Sequence, residues 1–325
     1  MPADTAEVPA KGAGMTGYYQ RLERARLAPL WESLAALAPS EPKSQAQPYM
    51  WAFDEVREHL LEAGRLITAE EAERRVVVLA NPGLPGRVQV TDTLYAGLQL
   101  ILPGEVAPPH RHSQAALRFV MEGSGAYTAV DGVRAVMHPG DFIITPAMSW
   151  HEHGGGSEQV IWLDGLDVPL VGFLGAAFRE EGVDALPPLQ PPGSPDFAWP
   201  YDRSRETLEG LKAGRIDPWR GHVLRYQNLA GGWALPTLGP TLTLLPKGFQ
   251  TRPRKSVDSA VATLVEGRVR ATIGADRFEL GPRDLIALPG WTEIRLEALA
   301  ESVLFTFSDR PVYEALGLWR EERGA

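Results

Sequence analysis

The chain has no cysteine, and this absence excludes several kinds of chemistry at once. None of its 325 residues can form a disulfide bond, bind a metal as a thiolate or act as a thiol nucleophile. A metal site in this chain must therefore be built from histidine and carboxylate side chains.

An excess of positive charge and long apolar runs are also missing. The 32 Lys and Arg residues are outnumbered by 41 Asp and Glu, so the formal net charge is -9 and gives no electrostatic reason to expect nucleic acid or an anionic membrane as a partner. The N-terminal stretch MPADTAEVPAKGAGM lacks the apolar core of a signal peptide, and no later run approaches membrane-spanning length. These absences predict a cytoplasmic protein.

Turn-forming residues are abundant instead. The chain contains 33 Gly and 28 Pro, which favour many turns over long helices. Between residues 93 and 178, short apolar runs such as LYAGLQLIL, DFIITP and VIWLDGLDVPLVGFL are separated by Gly, Pro and Asp, a pattern typical of a β-sandwich or barrel. The length of the chain favours two domains of roughly 150 residues each.

Helical patterns occur towards both ends. Apolar residues recur at helical spacing from 16 to 37, and a second helix is predicted from about 52 to 62, ended by Gly64. Thr68 and Glu71 form a capping box for a short helix that leads into the β-branched VVVLANPG. Pro311 predicts the start of a closing helix in DRPVYEALGLWREE, and the proline-rich residues 186–200 predict an extended linker.

An internal repeat joins the two halves of the chain. LRFVMEGSGAYTAVDGVRAVMHPGDFIITP matches VATLVEGRVRATIGADRFELGPRDLIALP, since each has an EG pair, a hairpin pattern and an Asp that leads into an apolar strand ending at Pro. The repeat predicts two copies of one β module. At three positions the first copy has histidine and the second does not: His110 matches Arg254, His112 matches Ser256, and His151 matches Ile294.

Four of the seven histidines stand in two HxH pairs, His110 with His112 and His151 with His153. Residues i and i+2 of a β-strand point to the same face, so each pair can present two imidazoles to one ion. A single pair is as often a polar strand that faces solvent, but two pairs in one β unit, both lost from the second copy, predict a metal site. Neutral imidazoles suit Fe, Zn, Cu and Ni, so the ligand type leaves the metal open.

The residues around these histidines carry a family resemblance. GEVAPPHRH and GDFIITPAMSWH resemble the two motifs of the cupin superfamily, while HRHSQAALRFVMEG, HPGDFIITP, WHEHG and WLDGLDVPLV are similar to the gentisate 1,2-dioxygenase family, which includes salicylate and 1-hydroxy-2-naphthoate dioxygenases. The resemblance runs from about Tyr18 to the closing helix. It implies a mainly β bicupin, with two double-stranded β-helix (jelly-roll) barrels, N-terminal helices and a short C-terminal helix.

This fold implies five segments along the chain. They are a disordered N-terminus (1–15), a helical region leading into the first barrel (16–90), a metal-binding cupin domain (91–180), a proline-rich linker with a short helix (181–220), and a degenerate second cupin domain with the C-terminal helix (221–325). The second barrel, which lacks the histidines, is expected to be structural.

The resemblance also implies a ligand set. Cupin motifs normally place a carboxylate ligand four or five residues after the second histidine, where this chain has Ala116 and Leu117. A three-histidine site of His110, His112 and His151, holding Fe(II), is the expectation that follows.

Strand parity and the resemblance together nominate substrate contacts. If strand alternation continues beyond His112, Arg118 shares the histidines' face, and a buried arginine needs an anion. A substrate carboxylate or an internal Asp or Glu could supply that anion, and the resemblance favours the substrate. Tyr95 and Gln99 match positions that line the family's pocket, with Gly97 leaving room beside an aromatic ring, although Tyr95 could instead be plain core.

Further residues are nominated for catalysis and positioning. His153 is expected to hydrogen-bond the substrate hydroxyl or bound oxygen as acid and base, because three other histidines complete the metal site. Asp164 is expected to contact the substrate region and to orient His153. Arg74 or Arg75 matches a basic family position near the substrate, although such an arginine is more often solvated.

These expectations combine into an Fe(II)-dependent, extradiol-type ring-cleaving dioxygenase of aromatic catabolism. Its first-choice substrates are gentisate (2,5-dihydroxybenzoate) and O2, with ring opening between the carboxyl-bearing carbon and its hydroxyl-bearing neighbour. Salicylate, substituted salicylates and 1-hydroxy-2-naphthoate are alternatives, because they share the chelating edge. Further alternatives are a metal-dependent isomerase or hydrolase and a ligand-binding bicupin without turnover. The resemblance also implies a homotetramer.

Overall fold

The structure of the protein is a computed structural model that describes residues 13–182 and 195–324. These residues include seven α-helices and one short 3-10 helix, Leu211–Ala213. The α-helices are α1 (Ala13–Arg24), α2 (Leu30–Leu37), α3 (Phe53–Leu66), α4 (Ala69–Ala72), α5 (Val168–Phe173), α6 (Tyr201–Gly210) and α7 (Arg310–Ala315). No helix of the described residues is long and apolar enough to cross a membrane.

The chain divides into two compact units, one that ends at Pro42 and one that begins at Lys43. In the first unit the prediction of one helix over 16–37 is wrong, because α1 ends at Arg24 and α2 begins at Leu30. Arg26 has a positive φ of 57°, and Pro29, which has no backbone N–H, precedes α2. Helix α1 begins at Ala13, inside the segment that was expected to be disordered.

The first helix of the second unit is α3, which is longer than its sequence pattern predicts. Gly64 was expected to end this helix, but α3 continues to Leu66. A Cβ atom at Gly64 would lie 2.8 Å from Cδ2 of Leu100, so glycine here allows the helix to pack closely on a strand. The capping box is confirmed, since Thr68 and Glu71 each accept a backbone hydrogen bond from the other at the start of α4.

The first barrel consists of a six-stranded and a five-stranded antiparallel sheet. The six-stranded sheet has the order β12 (Ala198–Trp199), β8 (Phe142–Thr145), β5 (Ala116–Glu122), β10 (Val160–Leu166), β3 (Tyr95–Ile101), β2 (Arg75–Val78). The five-stranded sheet has the order β11 (Arg179–Glu181), β4 (Val106–His112), β9 (His151–Gly154), β6 (Tyr127–Val130), β7 (Val133–Val136).

The second barrel repeats this arrangement strand for strand, which confirms the bicupin fold. Its six-stranded sheet has the order β1 (Tyr49–Trp51), β19 (Leu285–Leu288), β16 (Ala260–Glu266), β21 (Ser302–Ser308), β14 (Gly239–Leu245), β13 (His222–Arg225). Its five-stranded sheet has the order β18 (Asp276–Leu280), β17 (Val269–Ile273), β20 (Ile294–Ala298), β15 (Arg254–Ser256), β22 (Glu321–Arg323).

The two barrels exchange one short strand each. Strand β1, which precedes the first barrel in the chain, pairs with β19 of the second barrel, and β12, which precedes the second barrel, pairs with β8 of the first. The proline-rich stretch 186–200 was expected to be an extended linker; residues 183–194 lie outside the described residues, and Ala198–Trp199 is a strand. The closing helix is present as α7, but the charged end that was assigned to it forms β22 instead.

Alternate residues of the long strands divide the interior into separate cores. Leu117 and Phe119 of β5 belong to the same apolar cluster as Phe305 and Phe307 of β21, and the rings of Phe119 and Phe305 stack with centroids 4.3 Å apart. Val120 belongs to a different cluster, inside the first barrel. Because successive strand residues point to opposite faces, one face of each six-stranded sheet joins the barrels while the other lines a barrel interior.

Two buried aspartates link the barrels in equivalent ways. Asp167, at the end of the first barrel, accepts a hydrogen bond of 2.6 Å from the hydroxyl of Thr237, which leads into the second barrel. Asp309, at the end of the second barrel, accepts hydrogen bonds from the hydroxyl of Thr93, which leads into the first barrel, and from the backbone N–H of Ser259 at 2.8 Å. Each carboxylate therefore connects the end of one barrel to the beginning of the other.

The link at Asp309 predicts a pH dependence of stability. Burial, with the nearby charge of Asp258, raises the pKa of Asp309 from 3.8 to about 7, so the folded state binds this proton more tightly than the unfolded chain. The group's contribution to stability is therefore fully present below pH 3.8 and declines as the pH rises to about 7. The unfolding free energy of Asp309→Asn, minus that of the wild type, should therefore rise by about 3 kcal/mol between pH 5 and pH 8.

Urea unfolding of both proteins at the two pH values measures this difference. Asp276→Asn is a suitable control, because Asp276 is exposed in a hairpin, and this variant should follow the wild type. An Asp309→Asn difference that stays constant between pH 5 and pH 8 would show that Asp309 does not titrate in this range.

Candidate metal centre

Three histidines of the first barrel meet at one point. His110 and His112 lie on β4, and His151 begins β9, where it is paired directly with His110. One ring nitrogen of each lies within 4.8 Å of those of the other two. Antiparallel pairing between two strands of one sheet thus brings together residues that are about forty positions apart in the chain.

Backbone carbonyls fix the orientation of all three imidazoles. The Nδ1 atom of His110 lies 3.0 Å from the carbonyl oxygen of Pro108. The Nδ1 atom of His112 lies 2.9 Å from the carbonyl oxygen of Gln114, and that of His151 lies 3.0 Å from the carbonyl oxygen of Ser149. In His110, Nη2 of Arg74 lies 2.6 Å from both ring nitrogens, so the carbonyl alone does not fix the tautomer. In His112 and His151 the carbonyl oxygen can only accept, so Nδ1 carries the proton and Nε2 keeps its lone pair. This is the tautomer that a metal-binding histidine needs, with its second nitrogen held by a hydrogen bond.

The surroundings keep these imidazoles neutral. Burial, followed by the charge of Arg74, lowers the pKa of His110 to about 3, and burial lowers that of His112 to about 4. Burial and the charge of Arg118 also lower the pKa of His151. Three neutral nitrogen donors with free lone pairs are a suitable ligand set for a divalent metal ion.

His153 lies beside this cluster but is outside the ligand set. It is buried and lines the same cavity, and its Nδ1 lies 3.0 Å from the hydroxyl oxygen of Thr128. Burial and the charge of Arg118 hold its pKa well below the usual range, so the ring is neutral. The expectation that Asp164 orients His153 is wrong, because the described polar partner of His153 is Thr128.

Arg118 and Asp164 face each other across β5 and β10 inside the barrel. Nη1 of Arg118 donates a 2.7 Å hydrogen bond to Thr145, while Nε lies 3.6 Å from a carboxylate oxygen of Asp164 and makes no hydrogen bond among the described residues. Asp164 also accepts a 2.9 Å hydrogen bond from Trp162, and burial raises its pKa to about 6. Arg118 therefore faces inward as predicted, although the strand does not continue from His112: β4 ends there, and β5 begins at Ala116 in the other sheet. An internal carboxylate partly offsets the charge of Arg118.

The structure separates the two candidate arginines after the capping box. Arg74 lines the cavity, and its Nη2 lies 2.6 Å from both Nδ1 and Nε2 of His110. Arg75 points elsewhere, since it forms an ion pair with Glu105 and donates a 2.8 Å hydrogen bond to the carbonyl of Ile67. A metal ion bound by His110 would therefore displace the Arg74 guanidinium from the nitrogen that binds it.

Strand β3 places Gln99 and Tyr95 on the cavity wall. Gln99 is buried, and burial raises the pKa of Tyr95, so its hydroxyl stays protonated. The interpretation of Gly97 as room beside a substrate ring stays a prediction. A Cβ atom there would lie 2.6 Å from Cγ1 of Val76 and 3.4 Å from the hydroxyl oxygen of Tyr95, and both of these residues line the cavity, so a side chain at this position would crowd the wall.

The cavity around these residues measures about 500 Å³ and has a wall that the sequence did not indicate. Val76, Leu166 and Val168 give it an apolar side, and Phe178 and Arg179 come from the segment after α5. Arg179 is placed there because β11 pairs with β4 opposite His112. The only sequence signal was the apolar run that continues beyond WLDGLD, which gives no indication that it returns to the site.

The second barrel lacks the histidine cluster at the equivalent place. Arg254 pairs with Ile294 between β15 and β20, as His110 pairs with His151 between β4 and β9. The repeat alignment therefore holds at this register, and within the described residues the cluster that could hold a metal ion lies in the first barrel.

Comparison with known proteins points to one family along nearly the whole chain. A family model described as Cupin domain matches residues 97–166. Gentisate 1,2 dioxygenase 1 of Aquipseudomonas alcaligenes is 45% identical over 342 residues, which cover 98% of this chain and 99% of that protein. The 1-hydroxy-2-naphthoate 1,2-dioxygenase of Nocardioides sp. is 34% identical, covering 86% of this chain and 80% of that protein. A crystal structure of salicylate 1,2-dioxygenase from Pseudoaminobacter salicylatoxidans with gentisate adducts has a TM-score of 0.89 and 30% identity, covering 99% of this chain and 97% of that chain.

Proposed function

The chain belongs to the gentisate 1,2-dioxygenase family of bicupins, and we propose that it opens the ring of gentisate with O2, using Fe(II) held by His110, His112 and His151. The bond cleaved joins the carbon that bears the carboxylate to the neighbouring carbon that bears the hydroxyl. The narrower label of an extradiol-type enzyme is part of this proposal, and the relatives themselves are named 1,2-dioxygenases.

One observation carries the proposal: three neutral imidazoles, each with Nδ1 beside a backbone carbonyl, bring one ring nitrogen apiece to within 4.8 Å of one another. The donor set contains no carboxylate, so a divalent ion there keeps its full charge and favours a dianionic chelator such as a carboxylate beside a phenolate. When bound, Fe(II) supplies a Lewis acid that chelates this edge of the substrate and activates O2.

Arg118 and Arg74 orient the substrate in this proposal. The Nε of Arg118 is buried without a hydrogen bond in the described residues, so a carboxylate beside it would satisfy a costly unpaired donor. Arg74, displaced from His110 by the metal, remains on the cavity wall as a second cation for the anionic substrate. Gln99 and Tyr95 supply neutral polar groups next to these charges.

His153 accepts the proton of the substrate's hydroxyl at Nε2. Burial and the charges of neighbouring groups, Arg118 first, hold its pKa low in the free protein. An anionic substrate would offset the two arginines, and this change raises the proton affinity of His153 when the substrate is bound. The Thr128 hydroxyl holds Nδ1 during this transfer.

Steady-state kinetics with three acids test the substrate assignment. We expect kcat/KM for gentisate to exceed the values for salicylate and 1-hydroxy-2-naphthoate by about 10-fold or more. Gentisate has a second hydroxyl that the other two acids lack, and a buried site that hydrogen-bonds such a hydroxyl strongly disfavours analogues without it. Oxygen uptake and the near-ultraviolet absorbance of the ring-opened product are followed together. A higher value for salicylate or hydroxynaphthoate would replace gentisate by that alternative.

The same assay separates the other candidate functions. A metal-dependent isomerase or hydrolase would consume no O2, and a ligand-binding bicupin would bind the acid without turnover. The homotetramer implied by the family is a further proposal, which analytical ultracentrifugation of the iron-loaded protein tests. The cytoplasmic location stays a prediction from the sequence.

A further inference from the structure

The second barrel encloses a cavity of about 210 Å³ that the proposed reaction does not use. Small barrels normally fill their interior with side chains. Here the wall is built partly from small residues, Ala260, Ala262 and Ala271, together with apolar residues such as Ile286 and Leu304. An apolar cavity of about 150 Å³ is large enough to bind benzene, so this barrel has room for one substituted ring.

Arg254 on β15 lines this cavity and has no described partner. Within residues 13–182 and 195–324, no acceptor makes a hydrogen bond or ion pair with its guanidinium. Burial lowers the pKa of Arg254 to about 10, yet the residue keeps some accessible surface, as expected for a group that faces an internal space. An arginine in such surroundings is stabilised by an anion.

The other three arginines of the cavity wall already have partners. Arg225 is exposed and donates a 2.8 Å hydrogen bond to the carbonyl oxygen of Gly231. Arg220 forms an ion pair with Glu321, and Arg310 forms one of 2.7 Å with Glu314. These pairs leave the Arg254 guanidinium as the group that an incoming anion would neutralise.

A carboxylate of the wall, Asp258, does not remove this requirement. It accepts a 2.5 Å hydrogen bond from the hydroxyl of Ser256, and its charge raises the pKa of Arg254 without an ion pair between them. The lining therefore combines an apolar wall, the hydroxyls of Thr243 and Thr306, and the Arg254 guanidinium, which has no hydrogen bond or ion pair in the described part of the chain.

The internal symmetry shows how this arrangement differs from the first barrel. Ala262 pairs with Thr306 as Arg118 pairs with Asp164, so the second barrel has a methyl group where the first has its inward arginine. The cation of the second barrel, Arg254, lies instead on the five-stranded sheet, at the position that corresponds to His110. Removing a long side chain at one position opens the space, and Arg254 gives that space a charge.

We propose that the second barrel binds a small aromatic monocarboxylate, with the carboxylate on Arg254 and the ring against the apolar wall. One ring suits the volume, one carboxylate suits the single unpaired guanidinium, and the threonine hydroxyls suit a polar ring substituent. This site is separate from the metal centre, and its existence does not depend on the proposed reaction.

Equilibrium dialysis with radiolabelled benzoate tests the site on the Fe(II)-loaded protein under nitrogen. Benzoate has the carboxylate and ring but lacks the hydroxyl needed for turnover. Arg254→Gln should lose one bound benzoate per chain relative to the wild type, whereas the matched variant Arg118→Gln should retain the Arg254-dependent site. Equal binding by wild type and Arg254→Gln would overturn the proposal, whatever the first barrel binds.

Crystals of the wild-type protein grown with 4-bromobenzoate provide a test that needs no variant. The expected result is an anomalous bromine peak inside the second barrel, with the carboxylate within hydrogen-bond distance of the Arg254 guanidinium. Bromine only beside His110, His112 and His151, or no bromine in either barrel, would overturn the proposal. The first of these outcomes would leave the proposed function standing, so the two ideas fail separately.

Discussion

His112→Ala should lose bound iron and O2 uptake together. The substitution removes one of three neutral donors and leaves two imidazoles, too few to hold the ion against solvent. Losing even a residue that only orients a metal ligand costs 10–100-fold in affinity or activity, so we expect turnover below about 1% of the wild type. Iron content after gel filtration and O2 consumption with gentisate measure the two losses on one sample.

His59→Ala is the matched control for this result. His59 is exposed on α3 and does not line the first-barrel cavity, so its variant should keep both iron and turnover. His112→Ala protein that retains a full equivalent of iron and normal O2 uptake would show that the three-histidine cluster is not the reaction centre.

Arg118→Gln should lower kcat/KM for gentisate by about 100-fold to 1000-fold while leaving iron content unchanged. Truncating one partner of a buried, hydrogen-bonded charge pair costs about 2–5 kcal/mol, and each 1.36 kcal/mol is tenfold in rate. The neutral side chains of Gln99 and Tyr95 cannot replace the positive charge that Arg118 offers to the substrate carboxylate. Steady-state kinetics on iron-loaded protein measure the loss.

The partner of Arg118 in the free protein requires its own control. Removing the guanidinium leaves the Asp164 carboxylate without its nearby cation, which costs stability apart from any effect on substrate. The double variant Arg118→Gln/Asp164→Asn removes both charges and should regain stability without regaining kcat/KM.

Arg134→Gln controls for loss of an arginine elsewhere, because Arg134 packs over the ring of Tyr127, with its guanidinium carbon 4.0 Å from the ring centroid. Full activity of Arg118→Gln would contradict the proposed substrate contact.

The sequence predicts the centre of this site because strand periodicity and the repeat constrain it. Two HxH pairs fix which imidazoles share a face, and the alternation of β5 places Arg118 inside the barrel with Val120. The repeat also places Arg254 opposite Ile294, as the structure has it. These features depend on local geometry, which the order of residues determines directly.

Features that depend on packing between distant segments could not be read from the sequence. The distinction between Arg74 and Arg75 depends on Glu105, which lies in the turn between β3 and β4 and forms an ion pair with Arg75. The partner of His153 is Thr128 because β6 and β9 are neighbours, a pairing that no motif encodes. The crowding that a side chain at Gly97 would meet comes from Val76, whose position is set by the pairing of β2 with β3.

The boundaries of the helices were missed for a similar reason. The periodicity of 16–37 is helical throughout, but Pro29 and the positive φ of Arg26 divide it into α1 and α2. Gly64 was assigned as a helix end, whereas its contact with Leu100 makes it a packing position within α3. A residue that disfavours helix locally can still lie within one when tertiary contacts compensate.

Incubation of the Fe(II)-loaded protein and gentisate with ¹⁸O2, followed by mass spectrometry of the product, tests the central claim most directly. Ring opening at the three-histidine centre predicts a ring-opened product that carries both ¹⁸O atoms, formed with one O2 consumed per gentisate and absent with His112→Ala. A product that carries no ¹⁸O, or no O2 consumption despite bound iron, would contradict the assignment of the chain as a ring-opening dioxygenase.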